Sequence, residues 1–214
     1  MIVLPDDVRA ARQLVAVAGH RNDAATARAG LAHPDESVRA TALGALARIG
    51  VLHADSLEHH LFPRTEPSPL VRRRAAELSA GLADVVLLGA LHDPDWSVVE
   101  MACWAIGEHE AADDPTLERL IQLGSEHEES LVREAAVAAL GAVGDPRGLP
   151  TIIAATRDRA PVRRRAAVSL APFDEPEAEN ALRELLTDRD WQARQIAEDL
   201  LDARPSVDAP TDSS

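Results

Sequence analysis

Tyrosine is absent from this chain, and two phenylalanines and three tryptophans are its only other large aromatic side chains among 214 residues. So little ring bulk excludes a deep core built on aromatics and suits thin layers of small side chains, in which helices approach closely. A single cysteine, Cys103, excludes an internal disulfide framework and makes a reducing compartment the expectation, the thiol itself being a small packed hydrophobe. No apolar run approaches the ~18 residues of a membrane span. The stretch Met1 to Asp7 lacks the basic start and apolar centre of a secretion signal, so the expected location is the cytoplasm. Basic residues are outnumbered 36 to 22, a formal charge of −14. That balance opposes adhesion to nucleic acid or anionic lipid unless the cations gather on one surface. No glycine-rich phosphate loop and no nucleophile elbow occurs.

What the chain does have is repetition. From Val132 to Pro146 it reads as one helix, with Val132, Ala136, Leu140 and Val143 forming the apolar stripe of a 3.6-residue period and Gly144-Asp145-Pro146 ending it. The same phrase recurs at Val38-Arg39, Val71-Arg72, Val98-Val99, Val162-Arg163 and, in degenerate form, Ala193-Arg194, with spacings of 33, 27, 34, 30 and 31 residues. A period near thirty built from helix pairs marks a solenoid whose units cannot bury their apolar faces alone. The expected fold is all-α, a right-handed α-solenoid of about six helix pairs. Its expected layout is an N-terminal cap helix over 1–20, then repeats over about 22–50, 51–82, 83–110, 113–144, 145–173 and 174–203. A polar tail over 205–214 holds too little apolar surface to order. Three prolines between Pro63 and Pro69 explain the longer first spacing, and Asp84 to Leu91 is expected to be the shortest outer helix.

These phrases resemble the HEAT repeat, most closely the short variety known from phycobilisome lyases. The resemblance implies that the Val-Arg helices line a concave face and that an acid five residues before each anchor meets an arginine of a neighbouring unit. Asp93, Asp188 and the substitute Glu66 fit; His33, His127 and Arg157 depart from it, as does Val99 at the arginine position, so the third repeat is expected to lack this pairing. Asp35, Ser68 and Asp95, three residues before their anchors, are expected to cap the following helices, with Glu129, Arg159 and Asp190 at the same place. Trp96 and Trp191, two residues before theirs, are expected to pack on the neighbouring turn.

Trp104 stands six residues after Val98, where other repeats place Gly44, Glu77, Ala138, Val168 and Asp199, a mixture foreign to the buried stripe. Two readings compete. In one, Trp104 and Met101 form an apolar spot in the groove, flanked by Glu100, Arg73, Arg74, Glu77, Glu134, Arg164 and Arg165, the composition of a protein-binding hot spot with a polar rim. In the other, Trp104 fills a gap above Ala105 and Ala138. Eight acids between Glu108 and Glu129 give one rim that either receives a basic partner segment or serves solubility. HEAT-like deoxyhypusine hydroxylases hold iron with His-Glu pairs after the anchor, and no such pair stands there; His109 and Asp113 at i, i+4 lack a third ligand. The expected function is a non-catalytic scaffold that takes a partner protein or peptide in its groove, without cofactor or metal and away from membranes. The alternative is a HEAT-like nucleic-acid binder or a DNA glycosylase-type enzyme, whose basic cleft the acidic balance disfavours.

Overall fold

Asp35, Asp95 and Asp190 each accept the backbone N–H two residues on, at 2.9, 2.9 and 3.0 Å, and a Val-Arg or related helix starts at each. Ser68, Glu129 and Arg159 occupy the same cap position without a side-chain cap; the Ser68 hydroxyl donates instead to Glu36 at 2.5 Å. The structure, a computed structural model, describes residues 2–204, so the tail expected over 205–214 lies outside the described residues.

The helices in chain order are α1 (Val8–His20), α2 (Ala24–Gly30), α3 (Glu36–Ile49), α4 (Ala54–Glu58), α5 (Pro69–Ser79), α6 (Trp96–His109), α7 (Asp114–Glu126), α8 (Ser130–Val143), α9 (Leu149–Ala155), α10 (Ala160–Ser169), α11 (Pro176–Leu185) and α12 (Trp191–Ala203). No strand occurs among the described residues. The inner layer is a continuous file in which α1 packs on α3, α3 on α5, α5 on α6, α6 on α8, α8 on α10 and α10 on α12. The remaining helices form the outer layer, with α7 on α9 and α9 on α11. This is an all-helical repeat solenoid, as the spacing predicts.

The repeated phrase supplies the core. Each valine anchor (Val38, Val71, Val98, Val132, Val162) is fully buried, and so is the alanine four residues on (Ala42, Ala75, Ala102, Ala136, Ala166). The Leu-Gly that ends the phrase has a steric reason: a Cβ on Gly141 would come within 2.6 Å of Ser169 Cβ, so α8 and α10 touch where only glycine fits. Gly50 and Gly144 close α3 and α8 in the left-handed conformation, at φ 78° and 68°.

The expected outer helix over Asp84 to Leu91 does not form. That stretch is turns ending in a 3-10 turn at Ala90–His92, and the shortest α-helix is α4, which stops at Glu58 although its apolar pattern runs on to Phe62. Phe62 lies where the two segments meet: a Cβ on Gly89 would stand 2.3 Å from its ring. No helix among the described residues is long and apolar enough to cross a membrane.

Candidate functional site: a trough across the inner helices

Two sets of arginines must be separated before any groove can be read. The first set ties the turns together. Arg39 binds Glu66 through Nε and Nη2 at 2.9 and 2.7 Å, Arg72 binds Asp93 at 2.7 and 2.9 Å, Arg133 binds Asp158 at 2.6 and 2.8 Å, and Arg163 binds Asp188 at 2.9 and 2.9 Å. Each also donates Nη1 to one or two carbonyls of the turn that precedes its own helix. The fork geometry of the guanidinium suits this double duty. The Arg133 bond holds the Asp158 carboxyl below its ordinary range. Burial pushes Glu66 up, but its bonds to Arg39 and to the Ser68 N–H outweigh that and leave it below its usual value.

Asp158 corrects the sequence reading. It stands four rather than five residues before its anchor, and it replaces Arg157, which turns outward to an exposed pair with Glu184. The rung between α6 and α8 is missing, as expected: Val99 joins the core, and His127 accepts the Glu129 N–H through Nδ1 at 3.1 Å, as His33 does for Asp35 at 3.0 Å.

The second set faces a trough lined only by inner helices. Its largest part is a cavity of about 560 Å³. Met101 and Trp104 stand on one wall with Glu100 and Glu108, all from α6; Leu131, Glu134 and a floor of Ala135, Ala138 and Ala142 come from α8; Glu77 of α5 and Arg165 of α10 close the ends. Trp104 is 42% exposed, so it is not sealed beneath its neighbours, although the small alanines of α8 are what leave its ring room. Six of the nine residues that sequence reasoning grouped meet here: Glu77, Glu100, Met101, Trp104, Glu134 and Arg165. Arg73 and Arg74 line an adjoining depression of about 330 Å³ with Leu70, Thr41 and Arg48. Arg164 lines neither; it reaches Asp190 at 3.1 Å. Sequence reasoning placed Glu108 in the acidic rim rather than beside Trp104, and it missed Leu131. Leu131 had a signal, an apolar residue immediately before its anchor, shared by Leu70, and both are exposed.

Charges in the cavity are mixed but mainly negative. Arg165 approaches Glu134 at 3.8 Å and Arg74 binds Glu77 at 2.8 Å, whereas Glu100 and Glu108 take no ion pair among the described residues. The remaining candidates resolve differently. His109 meets the Ser79 carbonyl at 2.8 Å, while Asp113 caps α7 through the Thr116 N–H, so the two do not converge on a metal. Trp96 and Trp191 are 42% and 65% exposed, and of the two only Trp96 lies beside a neighbouring turn as expected. Trp96 borders a crevice against the next repeat's turn at His127 to Glu129. Trp191 stands in the last described helix, with no following turn to lie against among the described residues.

Comparison with known proteins agrees at the level of the repeat. Residues 83–171 match the family described as HEAT repeats, and residues 162–188 match the PBS lyase HEAT-like repeat. No curated protein matches the sequence. Among solved structures, Escherichia coli YibA superposes with a TM-score of 0.67 at 18% identity, over 89% of this chain and 74% of its own. The complex of CpcE and CpcF of phycocyanin lyase from Nostoc gives 0.60 at 24% identity, over 81% and 74%. A designed armadillo repeat protein in complex with the peptide (KR)4 gives 0.55 at 16% identity, over 82% and 97%. At these identities the likeness is one of fold.

Proposed function

We propose that this chain, part of which matches HEAT-repeat models, is a non-catalytic interaction scaffold that holds an extended segment of a partner protein in the trough, with a cationic side chain against Trp104. One observation carries this reading. A half-exposed tryptophan stands in a cavity with four carboxylates and one guanidinium, and two of those carboxylates have no partner of their own among the described residues. An indole face attracts an arginine or lysine headgroup, and flanking carboxylates add charge-assisted hydrogen bonds. Leu131 and the alanine floor offer apolar surface for the aliphatic stem of such a side chain. The designed armadillo protein shares the architecture and binds a peptide of alternating lysine and arginine, which supports a peptide as the kind of partner.

The rival reading, a nucleic-acid cleft, needs an unbroken positive groove from Arg39 to Arg194. Arg39, Arg72, Arg133 and Arg163 are instead occupied at the turns, and the middle of the trough is acidic. The test is a titration with a fluorescent arginine-rich hexapeptide read by anisotropy. The expected result is saturable binding, weakened about tenfold or more by Trp104→Ala with thermal melting nearly unchanged. Equal binding by both proteins, or a large loss of stability in the variant, would return Trp104 to a packing role.

A further inference from the structure

The trough extends well beyond the Trp104 cavity. The depression beside α5 shares Glu77 with that cavity, and it shares Ala16 and Thr41 with a third depression of about 340 Å³ on α1. The three depressions thus adjoin one another in a row over α1, α3, α5, α6, α8 and α10, the row that an occupant of the whole channel would follow. Five steps between neighbouring helices at about 9 Å each give a path of roughly 45 Å. An extended chain advancing about 3.3 Å per residue covers that distance in roughly 14 residues.

Charge along this path is not mixed at random. The α1–α3–α5 end carries Arg9, Arg12, Arg48 and Arg73, none of which makes an ion pair among the described residues, and its lining includes one acid, Glu77, already bound to Arg74. The middle carries the unpaired Glu100 and Glu108. Four uncommitted cations therefore face the channel on one side of Glu77 and two uncommitted carboxylates on the other. A chain-wide charge of −14 makes this cationic end the exception to the molecule's balance.

We infer that the occupant is a protein segment with its charges segregated, an acidic block on the arginines of α1, α3 and α5 continuing into a cationic block that ends over Trp104. This rests on the scaffold reading above and specifies which partner fits it. Segregated charge has two consequences. A segment of uniform sign meets repulsion over half of the channel, and an alternating segment of equal composition cannot satisfy both halves at once. The channel thereby fixes register: the acidic block cannot slide onto Glu100 and Glu108, nor the cationic block onto Arg12 and Arg48.

The test uses the full chain and three labelled peptides of about 14 residues: an acidic half followed by an arginine half with a short apolar joint between them, the same residues with the charges in alternation, and an all-arginine peptide. The cationic hexapeptide serves as a control for the Trp104 end. The block peptide should bind about tenfold tighter than either of the others, the scale of two or more exposed charge pairs. Arg12→Glu combined with Arg48→Glu should remove that advantage without weakening the hexapeptide, and unchanged circular dichroism would confirm the fold. Equal affinity of block and alternating peptides, or tightest binding by the all-arginine peptide, would overturn the segregated occupant while leaving the scaffold reading in place. Tightest binding of single-stranded DNA at this end would overturn it in favour of a nucleic-acid segment. Failure of every peptide, hexapeptide included, would sink both readings.

Discussion

His60 shows at the scale of one residue how the turn chemistry can be tested. Its Nδ1 is buried without a hydrogen-bond partner and lies 3.7 Å from Glu66, the acid that holds Arg39. Burial, followed by the neighbouring His59, pushes the imidazole below its ordinary 6.5 against the pull of Glu66. The folded state therefore binds the proton less readily than the unfolded chain. Stability from this site is complete above pH 6.5 and declines as pH falls from there to the depressed value. His60→Leu, which carries no proton, should flatten the fall in melting temperature as pH drops below about 6.5; a variant that tracks the natural protein through that fall would remove His60 as the cause. The depressed carboxyls act lower. Asp158 and Glu66 keep their contribution above the usual carboxylate range and lose it as pH drops through their lowered values. The tryptophans show how far single residues were legible. Trp104 stood out because its repeat position is otherwise mixed. The exposure of Trp191 was not legible, since it depends on the absence of a following turn among the described residues.

At the scale of the helix and its turn, the ladder explains why Val-Arg is repeated at all. One guanidinium satisfies carbonyls of the turn behind it and a carboxylate of the turn ahead, which couples neighbouring repeats. Arg72 and Asp93 are almost wholly buried, with side chains 4% and 1% exposed. Removing one partner of such a pair typically costs about 3–5 kcal/mol because the other charge is stranded. Every cation in the chain is arginine, with no lysine in 214 residues, and only the planar fork can make both contacts together. The missing rung offers the cleanest test. Val99→Arg alone should destabilise by about 2–3 kcal/mol, because a buried cation would face His127. Adding His127→Asp should restore most of that, measured by urea unfolding in a double-mutant cycle. Strictly additive effects would show that the two positions do not meet. Helix starts, the aspartate caps and the apolar register were legible because each rests on residues within one turn, whereas Ser68 gives its hydroxyl to Glu36 of the preceding repeat. The loss of a helix over Asp84 to Leu91 was not legible, since that stretch meets Phe62 more than twenty positions away, a contact no local pattern reports, and Asp158 was missed because a one-residue shift hid it behind Arg157.

At the scale of the whole molecule, the solenoid places two arginine populations on different surfaces. Those directly after the anchors serve the turns; Arg9, Arg12, Arg48 and Arg73 face the channel. The resemblance assigned the first set to the turns, but sequence reasoning singled out none of Arg9, Arg12 and Arg48, since helical phase across six stacked elements decides which side chains share a surface. The centre of the candidate site was readable, because Met101 and Trp104 are one turn apart on a single helix. Its continuity across α1, α3 and α5 was not, because no local pattern reports it. The central claim is that Trp104 lies where a partner segment passes. With Trp96→Phe and Trp191→Phe in place, Trp104 is the sole tryptophan, and its emission can be followed while an arginine-rich peptide is added. Saturable quenching with a blue shift, at the same midpoint as the anisotropy titration, is the predicted result; binding that leaves the Trp104 spectrum unmoved would contradict it.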